Sequence, residues 1–149
     1  MPIPTFGSKL ENLTYKKRKG AYAVVFENHS RMRLGLIRVN HNYFLLGGGM
    51  EEGETDEQCL RREILEEVGY TFKNIRYIGH ALQYLISRDG RPLMNDGYFY
   101  AVSLMEKVQQ PVETDHFFEW VNSDRSLETL MVREQQAWAI QQALITEHI

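Results

Sequence analysis

The sequence predicts an α/β (α+β) fold, a mixed β-sheet with helices packed on it. Short runs of β-branched and aromatic residues fill the first third of the chain and return in its middle. One strongly charged segment of helical periodicity separates these strand regions, and a second helical segment closes the chain. Strands, a helix, strands, a helix is the order expected of helices layered on a sheet.

The elements follow in order. Residues 22–26, 34–39 and 43–46 read as strands, joined by polar turns at 28–31 and 40–42. The cluster Gly47-Gly48-Gly49 ends this region. Residues 55–68 read as a helix: Thr55 and Gln58 match a capping box, Asp56 and Glu57 set negative charge against the positive end of the helix dipole, and Gly69 provides the stop. Strand patterns resume over 75–86, with Asp89-Gly90 as a hairpin turn, and continue at 98–104 and 117–121. A last helix over 133–145 turns Ala137, Ile140, Ala143 and Leu144 to a core.

A length of 149 residues favours one domain, 1–149, with no repeat or Pro/Ser-rich linker to divide it. Surface scaling predicts burial of roughly 69% of the unfolded chain's area. With 43% hydrophobic and 25% charged residues, disordered, collagenous and disulfide-scaffold classes are excluded. A net charge of -3 argues against a nucleic-acid partner, which calls for a basic face. The single cysteine, Cys59, makes no intrachain disulfide and no CxxC cluster. No apolar run approaches the roughly 20 residues that span a bilayer, so no membrane partner is expected. Met1-Pro2-Ile3-Pro4 lacks a secretory layout, and a reduced, cytoplasmic location is the expectation.

The chemistry concentrates in residues 48–70, GGMEEGETDEQCLRREILEEVGY. At about 100° per residue, Leu60, Ile64 and Val68 form an apolar stripe, and Glu63, Glu66 and Glu67 share a separate stripe. Like charges at these spacings cost roughly 0.2–0.5 kcal/mol per pair in an isolated helix, a penalty that a cation removes. Clustered hard oxygen donors without thiolate or imidazole suit Mg²⁺ or Mn²⁺ rather than zinc. The competing reading is a solvated acidic face relieved by Arg61 and Arg62.

Gly48, five residues, Glu54, seven residues, then Arg62-Glu63-Ile64-Leu65-Glu66-Glu67-Val68-Gly69-Tyr70 resembles the Nudix box, the signature of the Nudix (MutT-like) hydrolases. Tyr70 takes the place of the final aliphatic residue, and Leu46 stands where many members have proline. The resemblance implies an α/β/α sandwich and a metal-dependent hydrolase that cleaves a nucleoside diphosphate linked to a moiety X. It implies metal-binding glutamates at Glu63, Glu66 and Glu67, with the Gly48 carbonyl reaching the metal, and a loop-to-helix salt bridge between Glu54 and Arg62. Glu63 or Glu67 would accept the proton from the attacking water. The substrate would be a small-molecule nucleoside diphosphate derivative, and a homodimer is in keeping with the family.

The family often recruits a further acid before a late Trp-containing strand, here Trp120, which makes Glu113, Asp115 and Glu119 candidates, Glu113 first. Cys59 reads as a packing residue, because no histidine partner is marked by motif. The run Lys16-Lys17-Arg18-Lys19 reads as a solvated or edge-strand segment in preference to a polyphosphate site. Tyr77, Tyr84, Tyr98, Tyr100 and Phe118 read as core ahead of base-stacking residues. His29, His41, His80, His116 and His148 show no metal-ligand spacing. A non-catalytic nucleotide sensor on the same fold is the alternative, which the intact glutamate set disfavours.

Overall fold

The computed structural model describes residues 2–129 and 131–146. Its elements are β1 (Thr5–Phe6), β2 (Lys16–Val24), β3 (Arg33–Val39), β4 (Asn42–Phe44), β5 (Leu46–Gly49), α1 (Asp56–Val68), β6 (Tyr70–Ile86), β7 (Pro92–Lys107), β8 (Phe117–Asn122), α2 (Ser123–Glu128) and α3 (Glu134–Ile145). A five-stranded mixed sheet has the order β1-β6-β7-β2-β5, with β1 parallel to β6 and β2 parallel to β7. A smaller antiparallel sheet, β4-β3-β8, joins it where Phe26 bridges Leu34 and the Gly35 N–H donates to Val25 O at 2.8 Å.

Strand periodicity sorts the core into two layers. On β2, Ala21, Ala23 and Val25 (just beyond its end) pack with Leu60, Ile64 and Val68 of α1. The intervening Tyr22 and Val24 face the opposite layer, with Phe99 and with Ala137, Ile140 and Ala143 of α3. The expected apolar stripe of α1 is therefore buried, and each such side chain contributes about 1.5–3 kcal/mol. Leu144 joins the second layer only partly buried, and Ala139 is fully enclosed in its place.

The ends of α1 form as their residues dictate. The Gln58 N–H donates to Thr55 Oγ1 at 3.2 Å, and the Thr55 N–H donates to Gln58 Oε1 at 2.9 Å. Gly69 closes the helix at φ 76°, a left-handed conformation that disfavours a Cβ. A side chain there would also collide with Gln109 O at 1.9 Å.

The basic run Lys16–Lys19 is exposed, as expected, and opens β2: it pairs with β7 on one side, and β5 joins the other side only from Gly20 onward. Three expectations need correction. Strand β6 starts at Tyr70, because the chain pairs with β7 directly after the Gly69 stop and absorbs its irregularity in register shifts near Lys73 and Tyr77. Helix α2 was not anticipated; it is a single short turn region whose signal is the Asn122 cap, which accepts the Arg125 N–H at 2.9 Å. The aromatics split: Tyr77 is 55% exposed, Tyr84 and Tyr98 are half-buried, and Tyr100 and Phe118 pack against the core layer of α1, where the Tyr100 hydroxyl donates to Asp56.

Candidate active site

Strand β5 and helix α1 lie against each other, which brings the glycine loop to the acidic stripe. Glu67, 8% exposed, accepts the Gly47 N–H on Oε1 at 2.9 Å. Glu63 rests on Gly48 so closely that a Cβ at Gly48 would lie 2.7 Å from Glu63 Cδ. A side chain at this position would displace the Glu63 carboxylate. Cys59 is fully buried and its thiol donates to Gly48 O at 3.5 Å. Burial pushes that thiol up to about 11, so it is no nucleophile at neutral pH.

Arg62 organises the loop and the stripe together. It donates from Nε and Nη2 to the two carboxylate oxygens of Glu54 at 2.7 and 2.9 Å, and from Nη2 to Gly49 O at 3.0 Å. Its Nη1 donates to Glu63 Oε1 at 2.9 Å and stands 3.7 Å from Glu66 Oε1. Glu54 also accepts the Glu51 N–H at 2.7 Å, which folds the loop back on itself. The hydrogen bonds from Arg62 hold the Glu54 carboxyl down to about 2.

The helical acids experience the reverse effect. Burial pushes Glu67 well above the usual carboxylate range, and the charges of Glu63, Glu66 and Glu113 add to it against the Gly47 hydrogen bond. Burial also raises Glu63, with Arg62 opposing. Three carboxylates thus share one stripe of α1, two of them disfavoured as anions by their surroundings, a condition that a nearby cation would relieve. All the donors are oxygens, which fits Mg²⁺ or Mn²⁺.

The later acids separate. Residues 108–116 lie along the end of α1, where the Val108 N–H donates to Gly69 O and the Val112 N–H to Glu66 O, each at 2.8 Å. This carries the charge of Glu113 to Glu67. Glu113, Asp115 and His116 offer ligand atoms within 4.8 Å of one another, so one histidine set aside on sequence spacing does join an acidic group. The loop, and not a helical repeat, brings them together. Glu119 is committed elsewhere, accepting from Arg38 Nε at 2.5 Å across β3 and β8. His148 lies outside the described residues.

A cavity of about 1020 Å³ opens beside these groups, lined by Gly47, Gly48 and Glu67 and reaching the first turn of α3. Arg18, Arg88 and Arg133 add cationic side chains to its walls. The sequence reading weighed Arg18 within the basic run and set it aside, and it named neither Arg88 nor Arg133. For Arg18 a signal was present: strand alternation puts it on the face of Gly20 and Tyr22. Arg88 and Arg133 come from a hairpin and a helix cap that only the folded chain brings to the cavity.

Comparison with known proteins agrees with this architecture. The NUDIX domain family model matches residues 16–143. Over 62 residues, 42% of the chain, it is 42% identical to the NAD-capped RNA hydrolase NudC of Pasteurella multocida, covering 21% of that protein. Over 78 residues, 47% of the chain, it is 33% identical to the RNA pyrophosphohydrolase of Vibrio atlanticus, covering 45% of it. The chain thus spans less than half the length of these curated relatives. A NUDIX hydrolase structure from Nitrosomonas europaea superposes with a TM-score of 0.68 at 16% identity, over 90% of this chain and 98% of that one. A structure from a study of MutT of Aliivibrio salmonicida and Vibrio cholerae gives 0.61 at 20% identity, over 87% and 98%. Fold and family model define a Nudix-type α/β/α protein. The chain belongs to the NUDIX domain family, that of the Nudix hydrolases.

Proposed function

We propose that the chain is a divalent-metal-dependent pyrophosphohydrolase that cleaves a nucleoside diphosphate derivative into a nucleoside monophosphate and phospho-X by attack of water on phosphorus. The observation that carries this reading is the buried Glu67, tied by its Oε1 to Gly47 and facing the same cavity as the glycine loop. Its Oε2 has no hydrogen bond among the described residues, which leaves it for a cation or a proton. Glu63 and Glu66 supply the remaining carboxylates and Gly48 a carbonyl. A bound Mg²⁺ or Mn²⁺ supplies charge neutralisation on the pyrophosphate and acidifies water. Glu54 and Arg62 hold loop and helix in register. Glu67 or Glu63 takes the proton from the incoming water, and Glu113, whose charge bears on Glu67, is the candidate further acid.

Cationic side chains on the cavity walls suit an anionic substrate. They also favour a second reading, hydrolysis of an RNA, the substrate that the names of the two curated relatives share. The experiment is release of phosphate, pyrophosphate or nucleoside monophosphate across a panel of nucleoside diphosphate derivatives and 5′-capped or 5′-triphosphorylated RNA, with Mg²⁺ and with chelator. Chelator-sensitive turnover of small nucleotides supports the first reading, and turnover of RNA alone supports the second. Tight nucleotide binding without turnover would make the chain a sensor.

A further inference from the structure

The cavity has a second end, remote from the glutamates. Gly47 pairs with Tyr22, Tyr22 with Phe99 and Phe99 with Gly79, so the glycine loop stands on one row across the sheet. The β6–β7 hairpin starts beyond Ile86, seven residues on from Gly79, or roughly 23 Å at about 3.3 Å per residue. Helix α3 turns its start toward the same hairpin. Gln135 Nε2 donates to Ala81 O at 2.6 Å, whereas Trp138 packs on Gly79, so the helix runs back along β6 away from the hairpin. Arg133, at the N-cap of α3, and Arg88, in the hairpin, therefore meet the cavity at this end, and both line it. Neither guanidinium donates a hydrogen bond or forms an ion pair among the described residues, and both are exposed. The charged groups beside them are engaged elsewhere: Arg91 pairs with Asp89 at 2.8 Å, and Glu134 Oε1 accepts from Gln83 Nε2 at 3.3 Å.

We propose that Arg88 and Arg133 form a distal anion subsite, which holds a phosphate carried by the substrate remote from the pyrophosphate at the glycine loop. The inference rests on the nucleotide reading above and goes beyond it by giving the substrate a second phosphate. Two cations at one cavity end repel each other, and an anion between them turns that repulsion into attraction. The guanidinium fork matches two phosphate oxygens at once, so arginine suits this anion better than a point charge does. The interval along β6 exceeds one nucleotide, which places the bound group beyond the first nucleoside. It is either a phosphodiester of a strand or a phosphomonoester that closes a shorter substrate.

The test is calorimetric binding, with Mg²⁺ at low salt, of 5′-phosphorylated adenylates of one, two and three nucleosides, each with and without a 3′-phosphate. Low salt leaves an exposed charge contact least screened. The 3′-phosphate should add little to one nucleoside and at least about fivefold in affinity to a longer ligand. Arg88→Met and Arg133→Met should each remove most of that gain. Arg133 makes no side-chain cap bond, so its substitution spares α3, and a melting curve reports on both variants. Arg91→Met, in the same hairpin, should keep the gain. Comparing the 3′-phosphorylated dinucleotide with the trinucleotide presents the same phosphate as monoester and as diester. Retention in the diester supports a strand, and its loss supports a terminal phosphomonoester. No gain at any length, with the mononucleotide still bound, overturns the inference and leaves the nucleotide reading standing. A full gain with one nucleoside moves the phosphate to the glycine-loop end and overturns the distal subsite. An equal loss in all three variants, as a diffuse basic surface would give, overturns it as well. Binding of none of the ligands overturns both readings.

Discussion

Arg62 donates to both carboxylate oxygens of Glu54 across the loop that joins β5 to α1, at 2.7 and 2.9 Å. This two-pronged contact makes the loop and the acidic helix one unit, because the same guanidinium also reaches Gly49 O and Glu63 Oε1. Glu54→Gln keeps one acceptor and loses the ion pair. It should lower kcat by about tenfold or less, a smaller effect than loss of a group at the reacting atoms. A steady-state assay on the best substrate checks the order, and a larger loss than that of Glu67→Gln would place Glu54 at the chemistry.

The same contact sets an acid limit on stability. The folded Glu54 carboxyl is held at about 2, below its unfolded value near 4.5. Its contribution is therefore present above the unfolded pKa and disappears as pH falls through the window from about 4.5 to about 2. Melting temperature against pH should decline more steeply in that window for the wild type than for Glu54→Gln. Parallel curves would contradict the coupling.

Glu67 has the opposite sign. Its folded pKa is raised, so its contribution is present below the unfolded value and lost as pH rises through the folded one. At pH 8 in chelator, Glu67→Gln should melt higher than the wild type, since it keeps an oxygen for the Gly47 N–H and removes a buried charge. Mg²⁺ should raise the melting temperature of the wild type and leave that of the variant nearly unchanged. An equal response of both proteins would show that Glu67 is not a ligand.

Gly48→Ala tests the close approach of loop and helix. The new Cβ would meet the Glu63 carboxylate at 2.7–2.9 Å, so Glu63 must move. Mg²⁺ affinity, read by calorimetry, should fall at least about tenfold with folding intact. Unchanged affinity would separate Glu63 from the metal.

Ile64→Ala, by contrast, removes bulk from a fully buried site between α1 and the sheet. It should cost about 2–5 kcal/mol in urea unfolding, with an unchanged dependence on metal.

Helix α1 was legible in the sequence because its information is local: cap, dipole charge, stripe and stop all lie within residues 55–69. The grouping of Glu63, Glu66 and Glu67 follows from the same helical geometry. Strand partners were not legible, since parallel pairing of β2 with β7 joins residues far apart in the chain. The exposed edge position of the basic run was legible, but that Arg18 also lines the cavity was not. Glu113 was named from the family resemblance, and the hydrogen bond of Val112 to Glu66 is what draws its loop to the helix.

The most direct measurement is kcat of Glu67→Gln on the nucleoside diphosphate derivative that the wild type hydrolyses best, at saturating Mg²⁺. The substitution preserves size and the Gly47 hydrogen bond, and it removes ligand charge and the ability to accept a proton. A loss of at least about 100-fold is expected, comparable to losing one strong electrostatic contact in the transition state. Turnover within a few fold of the wild type would contradict the assignment of this site to phosphoanhydride hydrolysis.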